Sequence, residues 1–129
     1  METRQFQKHF TLDEARALLP RLRVLFRQLH SARDRVQELD RELGWLAHRE
    51  CVDLGGEKVT QLIGAMGEIN MALQSILHLE VQVKDFDRGL IDFPAIREGR
   101  EVLLCWELKE RDIEYWHDLE TGYTGREPL

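Results

Sequence analysis

The closing stretch of the sequence, CWELKERDIEYWHDLETGYTGREPL, gathers side chains that could do chemistry. Within it, Cys105 and His117 could form a thiolate–imidazole pair, with Asp92 or Asp118 orienting the imidazole for nucleophilic catalysis. A cysteine in an apolar strand is more often a small buried side chain. A catalytic and a structural interpretation of Cys105 therefore both stay open.

A divalent metal site is a second interpretation of the same region, because many carboxylates precede and follow His117. We expect Asp85, Asp92 and His117 to supply its ligands, and the cofactor would then be a divalent metal ion. Neither HxxxH nor HExxH spacing occurs, so no such local motif defines the site. A surface histidine beside acidic residues is the structural alternative.

Charge is distributed unevenly along the chain. Six arginines and a single acid lie in residues 16–35, whereas acids outnumber bases in the C-terminal third. The two regions could pair as internal charge complementarity, which is worth little per exposed pair. Alternatively, Arg16 and Arg23 could form one wall of a ligand-binding cleft, opposite His117 and Arg126.

Four aromatic side chains near the C-terminus allow two interpretations. They could wall a small-molecule pocket, or they could fill the core where a sheet meets helices. These residues are Trp106, Tyr115, Trp116 and Tyr123.

These candidates must be positioned by the elements that precede them. TLDE, beginning at Thr11, is typical of a capping box and predicts a helix start. A coiled-coil-like seam follows, which predicts a helix over residues 11–50 with a kink, or a division, near Pro20. Gly55 and Gly56 predict a chain reversal into a second, antiparallel helix over 57–79. The seam consists of Ala15, Leu18, Leu22, Leu25, Leu29, Ala32, Val36, Leu39, Leu43 and Leu46.

Beyond the second helix the apolar period changes to two. LEVQVKD and the two apolar runs around REGR predict a small antiparallel sheet over residues 80–108. Pro94 should lie at an edge of that sheet or at a bulge. Residues 109–129 should form a short helix and an irregular tail. The predicted fold is therefore α+β and mainly α: a long antiparallel helical hairpin, a small antiparallel β-sheet and an irregular C-terminal tail.

The composition limits the class of protein. A chain of 129 residues predicts a single domain over 1–129. A net charge of −6 argues against nucleic acid as a partner. No apolar run approaches the roughly 20 residues that span a bilayer, so we expect no membrane partner. The N-terminal stretch lacks a signal-peptide core, which predicts a cytoplasmic location.

A helical hairpin leaves apolar surface on its outer sides, and one small sheet cannot cover all of it. We therefore expect a homodimer, and the first hypothesis for function is a homodimeric interaction or structural protein. The alternative hypothesis is a protein that binds a metal or small molecule in a polar cleft of the C-terminal half. Whether such a protein is an enzyme stays open at this point.

The sequence resembles a family of bacterial proteins grouped as domain of unknown function 2203. The resemblance is carried by VKDFDRGLIDFPAIREGREVLLCWEL, IEYWHDLETGYTGREPL and the opening HFTLDEARALLPRL. It implies no established activity. It does imply that the polar and aromatic residues of these motifs form one signature, namely Asp85, Asp92, Cys105, Trp106, His117 and Arg126. With the two helix arginines, the ligand-binding candidates are Asp92, Cys105, Trp106, His117, Arg126, Arg16 and Arg23.

Overall fold

The computed structural model describes residues 3–48 and 56–129, and it confirms the predicted α+β fold. Two packed helices are followed by a five-stranded antiparallel sheet. The elements are α1 Leu12–His48, α2 Gly56–His78, β1 Gln82–Asp85, β2 Leu90–Arg97, β3 Arg100–Glu107, β4 Tyr115–His117 and β5 Glu127–Pro128, with a 3-10 turn at Tyr123–Gly125. In the described ranges no helix is both long and apolar enough to cross a bilayer.

α1 begins at the predicted capping box. The Thr11 amide donates to Glu14 Oε1 at 3.0 Å, and the Glu14 amide donates to Thr11 Oγ1 at 3.1 Å. These bonds satisfy backbone donors that a helix start otherwise leaves unpaired. The helix then runs through the exposed Pro20 without interruption, so the short separate first helix is not formed. Buried Leu19 and Leu22 hold the chain on both sides of the proline.

The chain divides into two compact units. The unit Leu25–Ser75 contains most of both helices, which form the predicted hairpin. Its ion pairs show that the helices are antiparallel, because Arg35 pairs with Glu68 whereas Glu42, further along α1, pairs with the earlier Lys58. The buried side chains between the helices include Leu29, Ala32, Leu39, Ala65 and Ala72.

The second unit comprises residues 1–24 and 76–129 and contains the sheet. The strands lie in the order β1-β2-β3-β4-β5, each antiparallel to the next. Because side chains alternate between the faces of a strand, the sheet has two faces of different character. On one face Phe93 packs edge-on against Phe10, with ring centroids 5.6 Å apart, and Arg23 lies over Trp106. The opposite face carries Asp92, next to Phe93 in sequence.

Pro94 is tolerated in β2 because β1 pairs with β2 only as far as Asp92. On that side the Pro94 carbonyl instead accepts a hydrogen bond from the Phe10 amide, at 2.7 Å. The proline is therefore at a local edge, as predicted, although it is buried.

The C-terminal part differs from the prediction. The segment expected to form a short helix is a turn that leads into β4. Asp112 Oδ1 accepts from the Ile113 amide at 2.7 Å, which stabilises a local turn in place of a helix. Tyr115 and Trp116 are strand formers, and they pair with β3. The tail is more regular than expected, since β5 pairs with β4 and the Leu129 amide donates to the Glu114 carbonyl.

Candidate metal centre

Three neighbouring strands each contribute one side chain to a buried polar cluster. Asp92 on β2 and Cys105 on β3 are direct cross-strand partners. His117 on β4 pairs with Leu103, two residues from Cys105, and therefore points to the same face. One ligand atom from each of the three residues lies within 4.8 Å of the other two. We call these residues the three-strand cluster.

The three-strand cluster is shielded from water. Asp92 and His117 are each 2% exposed, and Cys105 is 1% exposed. The C-terminal tail covers this face of the sheet, because the Arg126 guanidinium stacks on Tyr115, which is the cross-strand partner of Cys105. Burial of polar groups is costly unless they have partners, so the bonding within the cluster decides whether it is stable.

The hydrogen bond of His117 to the Asp118 carbonyl locates one of its ring protons. Nδ1 lies 2.7 Å from the Asp118 carbonyl oxygen, which can only accept, so Nδ1 carries a proton. Nε2 lies 3.0 Å from Asp92 Oδ1. A neutral imidazole with its proton on Nδ1 would present a lone pair to a carboxylate oxygen. Either a proton or a metal ion must therefore lie between Nε2 and Asp92.

The environment of Cys105 keeps its thiol protonated. Burial raises the pKa of the Cys105 thiol to about 12, and the nearby negative charge of Asp92 acts in the same direction. The positive charge of Arg126 opposes these effects but does not cancel them. A thiolate nucleophile is therefore disfavoured in the protein alone. A bound cation would reverse this preference, because a coordinating thiol loses its proton.

A second set of charged groups lies around the cluster. Glu107, two residues from Cys105 on the same face of β3, accepts from Arg88 Nε at 2.7 Å, and this hydrogen bond lowers the pKa of the Glu107 carboxyl. Arg126 donates through Nη2 to both oxygens of Glu110. Its guanidinium also lies over the rings of Tyr115 and Tyr123, at 4.0 and 4.6 Å from their centroids.

The structure brings together only some of the predicted site residues. Asp92, Cys105 and His117 form the three-strand cluster, and Arg126 lies near enough for its charge to act on Cys105. Asp85 is not part of the three-strand cluster. It lies at the end of β1, where Oδ1 accepts from the Arg88 amide at 3.1 Å. Two residues of the metal prediction, Asp92 and His117, therefore lie together with Cys105, whereas Asp85 lies outside the cluster.

The other candidates lie on the helix-facing side of the sheet. Trp106 is fully buried, and its Nε1 donates to the Glu110 carbonyl at 3.0 Å. Arg23 stacks on the Trp106 ring and donates to the Arg111 carbonyl. Arg16 pairs with Asp112 at 3.0 Å. The structure therefore does not place Arg16 and Arg23 opposite His117; these arginines join α1 to the segment after β3.

Sequence reasoning did not identify the ion pair of Glu107 with Arg88, in which Glu107 lies on the same face of β3 as Cys105. One signal was available for Glu107: it follows Cys105 by two residues on the same strand, and side chains two apart share a face. Arg88 has no comparable signal, because its contact with Glu107 depends on the turn between β1 and β2.

Fold and cluster together define an α+β protein with a buried Asp–Cys–His site on one face of an antiparallel meander. The family described as "Uncharacterized conserved protein (DUF2203)" matches residues 8–129, and the chain belongs to this family. A search of curated proteins and a search of solved structures each gave no match.

Proposed function

We propose that this protein binds a divalent metal ion at the three-strand cluster. One observation carries the proposal: a carboxylate, a thiol and an imidazole nitrogen, from three different strands, converge within 4.8 Å in a buried site. One oxygen, one sulfur and one nitrogen donor together suit a borderline-soft ion such as zinc. A thiolate and a carboxylate would neutralise the two positive charges of the ion, which favours binding in a buried place.

The groups around the ligands also fit this function. Metal-binding histidines commonly donate their other ring N–H to a carbonyl or carboxylate, which fixes the ring and the tautomer. His117 makes such a bond to the Asp118 carbonyl, so Nε2 is left as the metal-binding atom. Three protein ligands leave one position of a tetrahedral ion open, as in zinc sites that hold a water molecule or a substrate.

The test is metal analysis of protein purified without a metal-affinity tag. We expect about one zinc ion per chain, which is the stoichiometry of a mononuclear site. Cys105→Ala and Asp92→Asn should lose the ion. His78→Ala should retain it, because His78 is exposed at the end of α2. Absence of binding after titration with zinc would overturn the proposal, and so would an ion that Cys105→Ala retains.

Cobalt substitution tests the ligand set directly. A Co²⁺ ion bound by Cys105 should give a thiolate-to-metal charge-transfer band in the near ultraviolet, and the visible bands of a four-coordinate ion. Cys51→Ser is the matched control, since it also removes one thiol, and it should leave the spectrum unchanged. A spectrum that lacks the charge-transfer band would exclude Cys105 as a ligand.

A second candidate function is that of a homodimeric interaction protein built on the helical hairpin. The observation that favours it is the exposure of large apolar side chains on α2, which include Ile63, Met66, Met71 and Leu77. Exposed apolar side chains gathered on one element are typical of an association surface. Light scattering of the purified chain tests this candidate, and a monomer mass would contradict it.

A further inference from the structure

α2 has an outer apolar stripe in addition to the stripe that it buries. The buried stripe includes Ala65, Ala72 and Ile76. The outer stripe advances in alternating steps of four and three residues, the spacing of a seam between two helices. We call it the outer seam, and it consists of Val59, Ile63, Met66, Asn70, Leu73 and Leu77.

Most of the outer seam is exposed within a single chain. Ile63 is 65% exposed, Leu77 59%, Met66 55% and Val59 42%. An apolar side chain of this size removes on the order of 100 Å² from water when it is fully buried. Two copies of the seam packed together would therefore supply a large part of the roughly 1,000 Å² that a specific interface requires.

We propose that the outer seam binds a second copy of this chain, with the two α2 helices parallel. The proposal rests on the homodimeric candidate and is independent of the metal site. Asn70 decides the orientation. In a parallel pair Asn70 meets its own copy, so each amide finds both a donor and an acceptor. In an antiparallel pair centred on the seam, Asn70 would face Met66 and its amide would be buried without a partner.

The residues along one flank of the outer seam would not repel a second copy of α2. Thr60, Gly67 and Gln74 follow the seam along one flank, and all three are uncharged. No like charges would therefore meet across a symmetric interface on this flank. A Cβ added at Gly67 would meet nothing within 4 Å, so the helix surface is open there. A second helix can approach the backbone closely at glycine.

Disulfide cross-linking tests the orientation, with Cys51→Ser as the background. In a parallel pair residue 77 faces its own copy, so Leu77→Cys should form a covalent dimer under mild oxidation. In an antiparallel pair the two copies of residue 77 lie about 27 Å apart, at 1.5 Å per residue, and Leu77→Cys would cross-link only with Val59→Cys. That second result would overturn the parallel arrangement. Met71→Cys is the matched control, because Met71 is exposed but lies off the seam.

Light scattering of seam variants distinguishes failure of the outer-seam proposal from failure of the homodimeric candidate. We expect a dimer for the parent and for Met71→Glu, and a monomer for Ile63→Glu. Both positions are exposed in the single chain, so neither change should prevent folding. A dimer that survives Ile63→Glu would overturn the outer seam and leave the homodimeric candidate standing. A parent with a monomer mass would overturn both. Equal cross-linking of Met71→Cys and Leu77→Cys would also overturn the seam.

Discussion

Removal of the His117 imidazole should destabilise the protein strongly, even with a chelator present. His117 is 2% exposed, and Nε2 lies 3.0 Å from Asp92, which is also 2% exposed. His117→Ala leaves the Asp92 carboxylate buried, with the Cys105 thiol as its remaining partner in the cluster. Loss of the hydrogen-bonding partner of a buried carboxylate costs about 3–5 kcal/mol. For a chain of this size, 1 kcal/mol corresponds to roughly 4 °C, so the Tm should fall by roughly 12–20 °C.

The assay is thermal unfolding followed by circular dichroism, in buffer with EDTA. His78→Ala is the matched control, because it removes an exposed imidazole and should change stability by no more than about 0.5 kcal/mol. The double variant Asp92→Ala/His117→Ala adds a test of coupling. It should lose about 1–3 kcal/mol less than the two single variants together, since neither partner is then left alone. A His117→Ala variant that melts within about 2 °C of the parent would show that the contact with Asp92 does not stabilise the fold.

Two of the remaining predictions concern Gly89 and Glu101, and the last concerns the thiol of Cys105. Gly89→Ala should lower the free energy of unfolding in urea by about 2–4 kcal/mol, because the φ of Gly89 is +63° and the new Cβ would lie 2.6 Å from Leu108 Cβ. Gly99→Ala is the control and should lower it by only about 1–2 kcal/mol, because Gly99 has a φ of +78° but open space around it. Burial opposes ionisation of Glu101, but the hydrogen bonds that its carboxylate accepts outweigh burial and lower its pKa. Glu101 should therefore contribute stability at neutral pH that is lost as the pH falls through its pKa in the folded protein. Glu101→Gln should weaken this pH dependence, measured by urea unfolding between about pH 7 and pH 3. Zinc affinity, measured by competition with a coloured chelator, should fall steadily as the pH is lowered, because the ion must displace the proton of the Cys105 thiol; a constant affinity would exclude a thiolate ligand.

Local signals in the sequence predicted the helices well. The capping box at Thr11 depends only on residues three apart, and the hairpin follows from the period of the apolar residues. The prediction of a short helix after β3 was wrong because it used local signals alone. Its charged residues have acceptable helix propensity, but pairing of Tyr115 and Trp116 with β3 overrides that propensity.

The candidate site could be predicted only in part, because two of its residues are placed by a turn and the third is not. Glu98 and Gly99 both have positive φ, and they form a two-residue turn that pairs Arg97 with Arg100. Counting outward from that pair places Asp92 opposite Cys105, so these two of the three residues could be paired from the REGR turn. No comparable count was available for His117, because the longer connection between β3 and β4 does not set a register.

The β2–β3 hairpin has a consequence for the order in which the site assembles. Asp92 and Cys105 lie on strands joined by a two-residue turn, so the entropy lost in bringing them together is small. The hairpin can therefore form early and bring the Asp92 and Cys105 side chains together before the rest of the sheet exists. His117 completes the set only when β4 docks on β3. A metal ion bound by all three residues would stabilise the docked β4 selectively and would slow its detachment, so metal retention would report on completion of the sheet.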